Sequence, residues 1–265
     1  MRKAFFHFLA IALWMPFRLA AADPDFSSFF QGKDGCFLLY DLKADKLVQR
    51  YNARRCTLRV APCSTFKIAL ALMAFDKGVL KDETITYKWD GVDRGNPLWN
   101  RDVSAADWIR NSVVWYSQRI TPQLGPATIK DYLARFDYGN EDISGGLTNF
   151  WLGSSLKISP DEQIRFLKKL WRGELPASRH AIELTRKIMY LETSPSGTAL
   201  SGKTGSHVWE TNALGWFVGH IDGPHGEYLF VVNYSEENPP KLEASYPGLT
   251  ARNISKEILT KLELY

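Results

Sequence analysis

The order of hydrophobic patterns predicts an α/β (α+β) fold: a central antiparallel sheet built from N- and C-terminal segments, flanked by helices, with an all-helical lobe inserted. Three observations lead there. Alternating aromatic and β-branched runs occupy both ends of the chain, helically spaced apolar residues fill its middle, and no repeat, low-complexity tract or long linker divides it. The 265 residues are 45% hydrophobic and 13% aromatic, enough for a substantial core. Strands at opposite ends need each other. Residues 23–265 are therefore expected to form a single domain, its α/β part at about 23–80 and 190–265 and its helical lobe at about 81–189.

The first 22 residues stand apart. Met1-Arg2-Lys3, an apolar run over 4–17 and Ala20-Ala21-Ala22 read as a signal peptide over 1–22, cleaved near Ala22. The apolar run is short for a membrane span, and Arg18 follows it. Cleavage would remove Arg2, Lys3 and Arg18 with no acid, lowering the formal net charge from +4 to +1. The remaining Lys and Arg are scattered among acids, which gives no electrostatic footprint for nucleic acid.

The first mature element is a hairpin. Residues 36–40 and 47–51 flank the polar turn Lys43-Ala44-Asp45-Lys46. Folding about that turn brings Cys36 near Arg54 or Cys56, which favours a Cys36–Cys56 disulfide in an oxidising compartment. A short Cys56–Cys63 loop is the rival pairing, and the sequence leaves both open. Cys63 has no His near it in sequence to activate it and is expected to be structural.

A strongly helical run over 68–78 comes next, and Ser64-Thr65-Phe66-Lys67 opens it. Residues i and i+3 share a helix face, so the Lys67 amine can take the proton of the Ser64 hydroxyl. The helix start also offers backbone N–H groups to a developing oxyanion. Ser154 and Lys157 repeat the spacing in a different context. They precede Ser159-Pro160-Asp161-Glu162, a capping box with Pro at the first helical position, so they lie in the approach to a helix. That box also accounts for Glu162 without a catalytic role.

Further helices are predicted at 105–111, 126–136, 160–172 and 180–191, then strands at 200–204, 212–221 and 228–234, and a closing helix at 251–262. A turn at 222–226 joins the last two strands. His180, His207, His220 and His225 show no metal-ligand spacing, and neither C-x-x-C nor H-E-x-x-H occurs. Lys203-Thr204-Gly205 closes a predicted strand: a cation, a hydroxyl and a residue without a side chain can bind a carboxylate and let a flat substrate lie along the backbone. Ser112 follows a predicted helix, where its hydroxyl can pass a proton.

In order along the chain stand Ser64-Thr65-Phe66-Lys67, Ser112-Val113-Val114, Tyr138-Gly139-Asn140, Trp151-Leu152 and Lys203-Thr204-Gly205. S-x-x-K with K-T-G is the signature of penicillin-binding proteins and class A β-lactamases. Ser-Val-Val replaces the S-D-N of class A enzymes, and the set resembles class D, oxacillinase-type β-lactamases across essentially the whole mature chain, including Phe37-Leu38-Leu39-Tyr40-Asp41 and Gly215-Trp216-Phe217-Val218-Gly219.

The resemblance implies a β-lactamase/DD-peptidase-like fold and hydrolysis of β-lactams, penicillins of the oxacillin type included, through a serine acyl-enzyme. It makes Ser64 the nucleophile and Lys67 an N6-carboxylysine that acts as general base in acylation and deacylation. Ser112 would relay a proton, and the Trp151 indole would hydrogen-bond the carbamate. Phe66, Val114, Trp151 and Leu152 would make the surroundings apolar enough to disfavour an ammonium on Lys67. Val114 and Gly205 would contact substrate, and Lys203, Thr204 and Arg252 would hold its carboxylate. Ala213, or a neighbour on its strand, would join Ser64 in donating N–H groups to the oxyanion. Carbon dioxide or bicarbonate would be needed for the lysine, with no bound cofactor and no metal. The expected partner is a small β-lactam, with no nucleic acid and no membrane after leader cleavage, and the expected location is the bacterial periplasm. A monomer and a homodimer both fit. A DD-peptidase and a β-lactam sensor share the acylating residues and are the rival readings.

Overall fold

The structure is a computed structural model that describes residues 25–238 and 246–265. The expected leader, 1–22, lies outside the described residues. A short helix, α1 (Ser27–Phe30), leads into the expected hairpin, β1 (Asp34–Asp41) and β2 (Lys46–Tyr51), whose register runs from Phe37 opposite Tyr51 to Asp41 opposite Lys46. Helix α2 (Ala53–Cys56) follows, then a 3₁₀ segment, Cys63–Phe66, which runs straight into α3 (Lys67–Asp76). Every residue of α3 from Lys67 to Phe75 is buried, as expected of a helix that is apolar all round.

Two-residue strands β3 (Thr86–Tyr87) and β4 (Val103–Ser104) pair with each other, adding a small ribbon to a lobe expected to be all-helical. They lead to α4 (Ala105–Arg110), α5 (Val114–Leu124) and α6 (Pro126–Phe136). Next comes α7 (Pro160–Arg172), whose capping box is formed in both directions between Ser159 and Glu162. This helix packs on β1 and on β8 (Gly226–Glu237) rather than within the lobe. Helix α8 (Arg179–Ile188) packs on α3, and β5 (Tyr190–Thr193), β6 (Ala199–Val208) and β7 (Asn212–Gly223) precede β8. Helix α9 (Pro247–Lys261) ends the chain.

The main sheet is antiparallel throughout, in the order β2-β1-β8-β7-β6-β5, so both chain ends supply strands. Strand alternation then sorts each strand's side chains between two cores. Cys36, Leu38, Trp216, Val218, Leu229 and Val231 face the large core shared with α3 and the lobe. Phe37, Leu39, Phe217, Phe230 and Val232 face a smaller core under α1 and α9. Burial on both faces explains why β1 and β7 read as nearly continuous apolar runs.

The three cysteines are buried and unbridged. Cys36 and Cys56 are nevertheless neighbours whose thiols influence each other, as folding about the hairpin turn predicts, while the favoured disulfide is absent and Cys56 Sγ donates to the Tyr51 carbonyl. Among the described residues no helix is long and apolar enough to cross a membrane.

Candidate active site

The 3₁₀ segment sets the position of Ser64. Pro62 precedes it, and Cys63 takes a left-handed conformation, φ 51°, that turns the chain into the buried floor of the site. Lys67, the first residue of α3, donates from Nζ to Ser64 Oγ at 2.9 Å. Its side chain is fully buried, and no carboxylate among the described residues faces it. Burial pushes the Lys67 amine well below its ordinary range, and the neighbouring charge of Lys203 pushes it the same way. A neutral amine can accept a proton or add to an electrophile. The Cys63 thiol is pushed up to about 12 by burial, so it stays protonated and unreactive beside this pair.

Aromatic rings close the space around Lys67. Phe66 packs on Phe150, Trp151 and Tyr138, with ring centroids 5.1, 5.6 and 5.9 Å away. Trp151 is fully buried, and its indole Nε1 has no hydrogen-bond partner among the described residues. A buried indole N–H normally finds an acceptor, so this one fits a group that the bare lysine does not supply. Val114, at the start of α5, joins the walls above.

Ser112 sits between α4 and α5 at φ 57°. This left-handed conformation is rare for serine, and such conformations gather at functional sites. Its Oγ accepts a hydrogen bond from Lys203 Nζ at 3.0 Å. Lys203 also donates to the Thr204 carbonyl at 3.0 Å and reaches Thr204 Oγ1 at 3.3 Å. It is 3% exposed, and burial pulls its amine down to about 7. The resulting group is a cation at mildly acid pH that loses its proton near neutrality.

Strand β6 lines the other side of the site. Gly205 packs against the 3₁₀ segment so closely that a Cβ there would lie 2.9 Å from the Pro62 carbonyl oxygen. Gly202 N donates at 2.9 Å to the carbonyl of Met189, just ahead of β5, so its N–H leaves the β6 edge that faces away from β7. Strand alternation sends the N–H groups of Thr204 and Ser206 out of the same edge, beyond the end of β5. Ser206 N–H and Ser64 N–H, the latter in the first 3₁₀ turn, are thus the two donors at hand for an oxyanion.

Ser64, Ser112, Val114, Thr204 and Ser206 share one cavity of about 490 Å³. Trp99 forms a wall, held by its own Nε1 donating to the Asn111 carbonyl at 2.9 Å and by Trp115 Nε1 donating to the Trp99 carbonyl at 2.8 Å. Leu98, Tyr246 and Leu249, about half exposed, make an apolar mouth, and Arg110 adds a cation to the lining.

Two sequence expectations fall elsewhere. Ala213 lies on β7, opposite Val208, and lines a different cavity. Strand β7 is interior, so its N–H groups serve the ladder, and the N–H groups left open beside Ser64 belong to β6 instead. Arg252 lies on α9, where its Nη2 donates to Glu192 Oε1 of β5 at 2.7 Å, in a group with Lys256 and Tyr265. It stands one helical turn past Leu249, too far along α9 to line the cavity. Ser206, Arg110, Tyr246 and Leu249 had no motif to mark them. Only Ser206 carried a usable signal, standing two residues after Thr204 on the same strand edge.

The penicillin binding protein transpeptidase domain family matches residues 29–260 of the chain. Beta-lactamase OXA-1 of Escherichia coli is 45% identical over 225 residues, which is 80% of this chain and 81% of that protein. The crystal structure of a class D beta-lactamase from Bacillus subtilis superposes with a TM-score of 0.83 at 38% identity, covering 93% of this chain and 98% of that one. The C-terminal domain of the Bacillus licheniformis BlaR penicillin-receptor gives a TM-score of 0.83 at 32% identity, covering 91% and 96%.

Proposed function

Since the chain belongs to the class D serine β-lactamases and hydrolyses β-lactams as they do, we propose that it does so through an acyl-enzyme on Ser64, with N-carboxylated Lys67 as general base in both half-reactions. The observation that carries this reading is the Lys67 amine: fully buried, held well below its ordinary pKa by that burial, 2.9 Å from Ser64 Oγ, in the same aromatic pocket as an indole N–H that has no partner among the described residues. A neutral buried amine adds to carbon dioxide by forming an N–C bond and releasing a proton. The product carries an anionic acceptor that would satisfy Trp151 Nε1.

The steps then balance. Carboxylated Lys67 takes the proton of Ser64, Ser64 Oγ bonds to the lactam carbonyl carbon, and the ring C–N bond breaks. The carbamate passes that proton through Ser112, which Lys203 hydrogen-bonds from behind, to the leaving nitrogen, and is thereby free to act as base again. Carboxylated Lys67 next takes a proton from water, whose oxygen attacks the ester carbon, and Ser64 leaves with that proton. Ser64 and Ser206 N–H groups would stabilise each tetrahedral oxyanion. Lys203, Thr204 and Arg110 would attract the substrate carboxylate. The apolar mouth of Leu98, Tyr246 and Leu249 supports penicillins with bulky aryl side chains, the oxacillin type among them. The N-terminal sequence supports export to the periplasm after cleavage near Ala22.

Turnover of benzylpenicillin in buffer stripped of carbon dioxide, and again with bicarbonate restored, tests the base. Activity that is lost and regained supports it, and bicarbonate-independent turnover at acid pH overturns it. Intact-mass measurement in the same experiment separates a transient adduct from the permanent acylation that a sensor would show.

A further inference from the structure

A second cavity, of about 600 Å³, opens beside the β6–β7 turn and shares no lining residue with the Ser64 cavity. Its polar lining is cationic: Arg55, Arg59 and Lys157 contribute, and no carboxylate does. Arg55 and Arg59 each reach an acid beyond the lining, Asp34 and Glu162, while Lys157 meets none among the described residues. Arg55 is the unusual member. It is 2% exposed, and its Nη1 donates to Asp34 at 2.9 Å and to Ser235 Oγ at 2.8 Å, yet Nε and Nη2 have no partner among the described residues. Buried guanidinium N–H groups are costly to leave unpaired, so this one points to an acceptor that the described residues do not provide.

The remaining lining is amphipathic. Leu58 and Trp209 are 48% and 42% exposed and form an apolar side, next to the hydroxyl of Thr211 and the amide of Asn212. Cations without a carboxylate select an anion, an aromatic wall selects an apolar arm, and the volume suits a molecule of drug size. We propose that this cavity binds an organic carboxylate bearing an apolar arm, at a site separate from Ser64. Two sources share that chemistry: an intact penicillin beyond the one in the active site, and the opened penicilloate product. Naming these sources rests on the β-lactamase reading above, whereas the carboxylate chemistry does not.

Occupancy would be felt at the active site through a short physical path. The Trp209 ring lies 4.0 Å, centroid to centroid, from the His207 ring. His207 lines the Ser64 cavity and packs on Gly153 so tightly that a Cβ there would sit 2.6 Å from the imidazole. Gly153 follows Trp151 and Leu152 in the loop that closes over Lys67.

The test is titration of the mature protein while following the Trp209 indole N–H resonance, identified by its loss in Trp209→Phe. Three probes separate the sources: phenylacetate for the bare chemistry, benzylpenicilloate for product, and benzylpenicillin with the Ser64→Ala variant for unreacted substrate. Saturable movement with phenylacetate, weakened about tenfold or more by Lys157→Glu, is the expected result. Movement with penicilloate alone names the product as the source, and movement with benzylpenicillin names the substrate. No movement of Trp209 with any probe, or movement that Lys157→Glu leaves unchanged, overturns the site. Phenylacetate needs no turnover, so a failed β-lactamase assay and a failed binding site give different results.

Discussion

Lys203 Nζ donates to Ser112 Oγ at 3.0 Å, tying β6 of the sheet to the loop between α4 and α5. Those residues are 91 apart in sequence, and the contact joins the two halves of the catalytic surface. In the proposed mechanism the same bond connects the residue that would attract the substrate carboxylate to the hydroxyl that would protonate the leaving nitrogen.

With Lys203 held at about 7, kcat/KM for benzylpenicillin is expected to fall as pH rises through that value, because the cation and its proton are lost together. The same shift has a stability consequence of opposite sign. In the unfolded chain the amine keeps its proton to about 10.4, so between the two values the unfolded state binds more protons and stability rises with pH. Lys67, shifted in the same direction, adds to the effect. Thermal melts across that window, compared with Lys203→Met, measure it, and a flat wild-type profile would remove the shift.

Lys67→Ala is expected to lower kcat by about 10²–10⁴-fold and to leave the Ser64 ester standing, visible as a persistent mass adduct. Trp151→Phe keeps the aromatic packing but deletes the N–H. Its turnover is expected to need more bicarbonate for half-maximal activity than wild type, and equal bicarbonate dependence would exclude the indole as the partner of the carboxylated lysine.

The oxyanion role of the Ser206 N–H gives opposite forecasts for two substitutions at that position. Ser206→Pro removes the N–H on the open edge of β6 and should cost about 10²–10³-fold in kcat. Ser206→Ala keeps that N–H and loses only the hydroxyl that accepts from Gly248 N at 2.8 Å, so its kcat should stay near wild type. Ala213→Ser should likewise leave kcat near wild type.

Arg252→Ala is expected to leave the KM for penicillins within about twofold while costing about 0.5–1 kcal/mol of stability, since its partner Glu192 is itself partly exposed. Arg110→Ala should raise KM, a hallmark of lost ground-state binding. Steady-state kinetics of the pair decide which arginine meets the carboxylate.

Thiol reagents should label none of Cys36, Cys56 and Cys63 in the native protein and all three after denaturation, because burial keeps them protonated or out of reach. A mass two hydrogens lower under non-reducing conditions would instead show that neighbouring Cys36 and Cys56 had bridged.

Local signals in the sequence found what local physics fixes. Ser64 and Lys67 are three residues apart on one helical rise, and the Ser159 box announced its helix, because both depend on neighbours in the chain. Helix α5 escaped because Pro122 lies inside it, and β5 because it is four residues long and not fully buried anywhere. Ala213 and Arg252 were misplaced for a different reason. Which edge a strand N–H leaves, and which turn of a helix reaches a cavity, depend on register between distant segments, and no motif in either segment encodes it.

Gly205 sets β6 directly against the Pro62 carbonyl, with no side chain between them. The slot beside Ser64, where the proposed mechanism would place the reacting carbonyl, therefore has its width fixed by two backbones, while Leu98, Tyr246 and Leu249 shape the mouth through exposed side chains. Chemistry and selectivity thus occupy separable parts of the molecule: the mouth can be re-cut for another antibiotic while the slot keeps its dimensions.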